Sequence, residues 1–415
     1  MASGIGKGEV AMAGRARNLL VAQSGGPTAV INNSLVGVIE EAGSWPALGA
    51  VIGAGRGIKG VLEEALLDLS RETPETLQAL RQTPSAALGT SRHKLQAGDL
   101  ERIVAVFERY DVGVFCYIGG NDSMDTANRL GALAREQGYD LRVIGIPKTV
   151  DNDLVETDHC PGYGSAARFV ASTLRDAGLD TEAGAASTPV KIVEIMGRHA
   201  GWLTAATALA REGRLDAAPH LIYVPERLIG LNAILADVER VVRRLGCVVV
   251  AVSEGIRDPE GHFHAALSAA VDAFGHRQLG GVSAYLAGRV TEETGLKARF
   301  EKPDTMQRAS TALISAVDAQ EAYEVGRAAV RAAMEGHTGQ MVSLIREPGP
   351  EYRVRTGLVA LEQVANRERH LPPEYMAPPE EGATEAFLAY ARPLIGPPLP
   401  RHARLERYPF RRASA

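Results

Sequence analysis

Short apolar runs, glycine-rich turns and amphipathic stretches follow one another in rotation along most of the chain. Residues 19–23 predict a buried strand, 24–27 its turn and 29–42 an amphipathic helix. The unit recurs with a strand at 112–118, a loop at Gly119 and a helix over 123–137, then a strand at 141–146. A helix is expected over 163–177, opened by Gly162 and closed by Gly178, then a strand at 190–195 and a helix over 200–211. Segments 221–224, 232–245 and 247–252 continue the alternation as strand, helix and strand, and 304–336 reads as one long Ala-rich helical stretch. Strands interleaved with helices of this length imply parallel βαβ units with right-handed crossovers, so the fold class is α/β.

Length then divides the chain. At 415 residues it is long enough for two lobes, each with its own core. The pattern breaks at Asp158 to Gly164, which places a boundary there: 18–161 in a first lobe completed by part of 279–335, and 162–278 in a second completed by part of 336–392. Residues 1–17, rich in Gly, Ala and Ser, read as a flexible tail, and the proline-rich 393–415 as a surface arm. A net charge of −5 gives no basic field for nucleic acid or membrane, so any anion site must be local. The spacing of Cys116, Cys160 and Cys247 matches no metal or redox motif and fits reduced, buried thiols in the cytoplasm. No apolar run reaches the roughly 20 residues of a transmembrane helix.

In parallel sheets, ligands bind beyond the carboxyl ends of strands. Three unusual loops stand at that position. Ser24-Gly25-Gly26-Pro27-Thr28 lets backbone N–H groups approach a phosphate at a helix start, or is a plain turn. Gly119-Gly120-Asn121-Asp122-Ser123 does the same, with Ser123 able to cap the following helix; Asp122 either complements the helix dipole or has a role of its own. Pro147-Lys148-Thr149-Val150-Asp151-Asn152-Asp153 sets a cation, a hydroxyl and two carboxylates in one stretch. In an extended segment Thr149, Asp151 and Asp153 share a face, with Lys148 or Mg²⁺ to balance the paired carboxylates. The bland alternative is a solvated turn. A carboxylate here can take a proton from a hydroxyl while the lysine neutralises a transferring phosphoryl group.

Other segments are less specific. Gly55-Arg56-Gly57-Ile58-Lys59-Gly60 fits a dinucleotide pattern but lacks its acidic strand end, and reads better as a glycine-lined wall. Arg92 and Arg198 can each grip a phosphate or simply stand near a helix start. His159 and His199 lack zinc spacing, and the Asn and Asp oxygens suit Mg²⁺ better.

Taken in chain order, Gly25-Gly26-Pro27, residues 119–123, residues 147–153, Met196-Gly197-Arg198 and Gly275-His276-Arg277-Gln278 resemble the phosphofructokinase family, over about 19–308. The resemblance implies two α/β lobes, each a mostly parallel sheet flanked by helices, with the active site in the cleft between them. It implies phosphorylation of the 1-hydroxyl of fructose 6-phosphate with Mg²⁺, in a homodimer or homotetramer. Asp122 and Lys148 resemble the pyrophosphate-dependent branch, where ATP-using members carry glycine and a small residue. Physics agrees: a carboxylate about 4 Å from a nucleotide α-phosphate costs about 4 kcal/mol at an effective dielectric of about 20. That is roughly a thousandfold in affinity.

By the same resemblance Asp151 is the general base, assisted by Lys148 and Asp122. Gly25, Arg92 and Ser123 hold pyrophosphate. Thr149, Val150, Met196, Gly197, Arg198, Glu254, His276, Thr305 and Arg308 line the sugar-phosphate site. Asn121 takes the place of the family's magnesium aspartate, with Asp122, Asp151 or pyrophosphate able to add oxygens. The sugar end departs from the family: Leu279 stands where an arginine follows glutamine in ATP-using members, and near Pro189 the nearest cation to a second lost arginine is Lys191. An ATP-dependent kinase of the same fold, a sedoheptulose 7-phosphate kinase and a non-catalytic phosphosugar-binding subunit are the alternative readings.

Overall fold

The computed structural model describes residues 17–211, 213–264, 281–406 and 408. In chain order its strands are β1 (Arg17–Gln23), β2 (Leu48–Ala54), β3 (Leu66–Asp68), β4 (Val112–Gly119), β5 (Arg142–Pro147), β6 (Val190–Ile195), β7 (Leu221–Tyr223), β8 (Val248–Ser253), β9 (Ala298–Glu301), β10 (Gln340–Arg346) and β11 (Val354–Ala360). Two sheets result, ordered β11-β10-β5-β4-β1-β2-β3 and β7-β8-β6-β9. The second is parallel throughout, and the first is antiparallel only at its edge pairs β10–β11 and β2–β3. The parallel α/β units are those the apolar runs predict, and the two mostly parallel sheets flanked by helices are those the family resemblance implies.

β4 and β8 are buried along their whole length, as expected of strands covered on both faces. Register then decides where the chemistry lies. Gln23 pairs with Ile118, Ile118 with Ile146 and Gly119 with Pro147, so β1, β4 and β5 end side by side. Their three loops, far apart in sequence, open at one rim. Glu254 and Met196 leave β8 and β6 in the same way, since Ile195 pairs with Ser253.

Several expectations need correction. Gly178 does not stop its helix, which runs Tyr163–Gly184; a Cβ there would lie 2.4 Å from Ala218 Cβ, so the glycine serves close packing. The stretch 304–336 is two helices, Met306–Ala309 and Ala316–Met334, because Ser315 caps the second, accepting from the Asp318 amide, and donates to Leu394 O at 2.7 Å. The expectation that only part of 279–335 and part of 336–392 serves each lobe needs no change: Ala316–Met334 packs against the first sheet while β9 joins the second, and Phe387 and Tyr390 enter the second core while β10 and β11 join the first sheet. The expected surface arm begins inside that core, where Leu394, Ile395 and Leu399 are buried. Arg17, placed in the tail by sequence, starts β1, and residues 1–16 lie outside the described residues. All three cysteines are unpaired and buried. Among the described residues no helix is long and apolar enough to cross a membrane.

Candidate active site

The turn after β1 is built around missing side chains. Gly25 has φ +73°, and a Cβ on it would stand 3.1 Å from Lys148 Nζ. A Cβ on Gly26 would stand 2.2 Å from Arg308 Nη1. Thr90 Oγ1 donates to Gly25 O at 2.7 Å, and Lys148 Nζ donates to Gly26 O at 2.9 Å. Two cationic side chains thus occupy the space that two glycines leave.

The turn after β4 opens the Asn121–Glu136 helix, with Gly120 at its N-cap. Ser123 does not cap it. Its Oγ stands 2.0 Å from where a Cβ on Gly119 would be, and its hydroxyl bonds to Tyr117, filling the glycine's space from within the first turn. Asp122 lies in that first turn and is exposed. Asn121 Nδ2 donates to Arg367 O, and its Oδ1 is buried without a hydrogen-bond partner.

The turn after β5 holds most of the charge. Lys148 N donates to Gly119 O at 3.0 Å, and the side chain is 4% exposed. The segment is not extended: Asn152 has φ +56° and folds the chain back, with Cys160 N donating to its Oδ1 at 2.9 Å. Thr149 and Asp153 still meet, through a hydrogen bond between their side chains. Asp151 differs from Asp153 in one respect, because its Oδ1 is buried with no hydrogen-bond partner. Burial, helped by Asp153 and Glu254, pushes the Asp151 carboxyl up to about 7. Burial, helped by Arg308 and Arg92 and opposed by the two carboxylates, pushes Lys148 down to about 8. Asp153 is raised by burial too.

From the second lobe, Met196 N donates to Gln307 Oε1 at 3.1 Å, so Gln307 braces the strand end while Arg308 beside it reaches Gly26. Gly197 has φ +121° and its carbonyl accepts from Ser253 Oγ at 2.6 Å. Arg198 Nε is buried without a partner. Glu254, held by its amide to Ile195 O at 2.9 Å, is raised by burial, while Arg198 pulls the other way. Burial, and then Arg92, lower Arg308.

Charge couplings link Arg92, Lys148, Asp151, Arg198, Glu254 and Arg308 in one network, with Gly25 against Lys148. Val150 and Thr305 do not join them by side chain. Val150 is 6% exposed and packs in the second core with Tyr163, because the turn sends it inward. Thr305 is exposed at the start of its short helix. His276 lies outside the described residues. Lys191 pairs with Asp180 and Glu301, each at 2.9 Å, outside that network. The Gly55–Gly60 turn packs on itself, a Cβ on Gly60 falling 1.6 Å from Gly55 O. Sequence reasoning missed Thr90, Gln307 and Arg369. Gln307 stood next to Arg308 and Thr90 two residues from Arg92, though neither was given a role; nothing in local spacing marks Arg369, which acts on a loop distant in sequence.

The phosphofructokinase family profile matches residues 18–333. The chain belongs to the phosphofructokinase family. It is 45% identical over 384 residues to a pyrophosphate–fructose 6-phosphate 1-phosphotransferase of Xanthomonas campestris, covering 91% of each chain. The like-named protein of Methylococcus capsulatus is 42% identical over 387 residues, covering 92% of each. Among solved structures, a pyrophosphate-dependent phosphofructokinase from Nitrosospira multiformis superposes with a TM-score of 0.84 at 37% identity, covering 94% of this chain and 95% of that one. Membership accounts for the α/β fold of two mostly parallel sheets flanked by helices.

Proposed function

We propose that the chain transfers a phosphoryl group from pyrophosphate to the 1-hydroxyl of fructose 6-phosphate, reversibly, giving fructose 1,6-bisphosphate and phosphate in glycolysis. The names of its near-full-length relatives support this reading. One observation carries the chemistry: a buried carboxylate oxygen on Asp151 with no partner, in the same loop as a buried lysine seated against Gly25 and Gly26. Asp151 accepts the proton of the sugar hydroxyl as that oxygen bonds to phosphorus and the bridging P–O bond of pyrophosphate breaks. A base near neutrality suits this task. Lys148 and Arg92 carry the charge of the pyrophosphate as it leaves as phosphate, and Arg308, expected from sequence at the sugar-phosphate site, also reaches this side because its guanidinium stands against Gly26. Glu254 and Arg198 hold the sugar, with Met196 and Gly197 shaping its wall.

No group of three His, Cys, Asp or Glu side chains among the described residues is arranged to hold a metal unaided. The partnerless Asn121 Oδ1 fits one ligand of a Mg²⁺ whose other oxygens come from pyrophosphate and water. When bound, Mg²⁺ screens the negative charge of the phosphate oxygens. The chain is further read as a cytoplasmic homodimer or homotetramer. Three unpaired, buried cysteines support the compartment. The test is product formation with purified protein, fructose 6-phosphate, Mg²⁺ and either donor. Equal amounts of bisphosphate and phosphate from pyrophosphate are expected; turnover with ATP alone rejects the reading.

A further inference from the structure

Arg369 belongs to none of the motifs above, yet it holds the loop that carries Asp151. Its Nε and Nη2 donate to Asn152 O at 3.2 and 2.8 Å, and its Nη1 to Thr157 O at 2.8 Å and Asp158 O at 2.7 Å. Its own amide donates to Asp153 O at 2.8 Å. One residue therefore binds the two carbonyls that follow Asp151 and closes the turn onto its far end. The other side of the residue faces the second lobe. Its guanidinium carbon lies 4.5 Å from the centre of the Trp202 ring, and Trp202 Nε1 donates to Arg369 O at 3.0 Å. Trp202 is itself buried in the second core.

Such an arrangement exceeds what the fold needs to close a loop. Asn152, fully buried with positive φ, is already held by Cys160 N and by Tyr390, whose hydroxyl receives its Nδ2–H at 2.9 Å. Arg369 adds a planar fork across carbonyls at both ends of the turn. A lysine, with one ammonium, cannot span them in the same way.

We propose that Arg369 is a positioning residue for the general base: its guanidinium fixes the turn that aims Asp151 and ties that aim to the second lobe through Trp202. The assignment rests on Asp151 being the base. It predicts that loosening the turn lowers the rate of the chemical step while leaving pyrophosphate binding in place, because Gly25, Gly26 and Lys148 are held separately.

The experiment compares R369Q, R369K and D151N in the full chain, with kcat, KM for each substrate and amide hydrogen exchange over 148–162. Misplacing a reacting group by about 1 Å costs about 10²-fold, so R369Q is expected to lose about that in kcat. R369K loses about tenfold, as one donor of the fork is kept. Both keep KM for pyrophosphate within about threefold of the parent, and both exchange faster over 148–162. If R369Q does not fold, R369K alone decides. Folded variants with kcat and exchange both at parental values overturn the assignment. So does a fall in kcat accompanied by an equal rise in KM for pyrophosphate. D151N separates the two levels. An inactive D151N beside unimpaired Arg369 variants sinks only the Arg369 role; a fully active D151N sinks the base and, with it, the positioning.

Discussion

The proposed donor end and the proposed sugar end of the site are built differently. At the donor end, three consecutive-residue turns follow β1, β4 and β5, and strand register brings them together. Each turn carries its own feature: glycines that leave room for Lys148 and Arg308, an asparagine with a partnerless oxygen, a lysine three residues before a carboxylate. At the sugar end, Met196-Gly197-Arg198 and Glu254 also leave adjacent strand ends, β6 and β8, but the groups that hold them come from other segments. Met196 is braced by Gln307, Gly197 by Ser253, and Arg198 faces Glu254. The difference lies in the supports: strand ends in parallel sheets concentrate side chains into motifs at both ends, whereas a brace supplied by another segment, such as Gln307, leaves no local signature.

The comparison breaks most visibly at Asp151. Asp151→Asn removes the proton acceptor and should lower kcat by about 10²–10⁴ with little change in either KM; a loss under tenfold in steady-state rates would mean the donor-end turn holds something other than the base. Lys148→Met should come next, at about 10²–10³ in kcat, because a preorganised cation is lost where charge moves. Its KM for pyrophosphate should rise more than that for the sugar, and the reverse order would move Lys148 to the other end of the site. Glu254→Gln tests that other end: weakening a charged hydrogen bond should raise KM for fructose 6-phosphate about tenfold and leave pyrophosphate alone.

The smallest effect is on pH dependence and stability. Asp151 is pushed up to about 7, so kcat/KM should fall about tenfold per pH unit below that value as the base protonates. The same shift has a stability sign. Between the unfolded value near 4 and about 7, the folded chain holds a proton that the unfolded chain has lost, so stability drops as pH rises through that window. Asp151→Asn should lack this drop and melt a few degrees above the parent at pH 8; an equal or lower melting temperature there would deny that Asp151 is strained by burial.

Much of the fold and of the donor end is legible in the chain, and the reasons for failure elsewhere are specific. Continuous apolar runs identified β1, β4, β5, β6 and β8, because strands buried on both faces leave no polar alternation to confuse. Gly178 was misread as a helix stop because a glycine used for close packing has the same letter as one used for positive φ. Ser123 carried a cap residue's identity inside the first turn of its helix, and Val150, between two candidate site residues, faces the core. Arg369 acts on Asn152, 217 residues away, a distance that no motif spans.

The central claim is that Lys148, together with Asp122, selects pyrophosphate over a nucleotide. The direct measurement is the ratio of kcat/KM for ATP to kcat/KM for pyrophosphate in the double variant D122G/K148G, against the parent. A like charge at about 4 Å is worth about a thousandfold, so the ratio should move toward ATP by about that factor, through both a gain with ATP and a loss with pyrophosphate. A ratio unchanged from the parent, in a folded and active variant, would contradict the account.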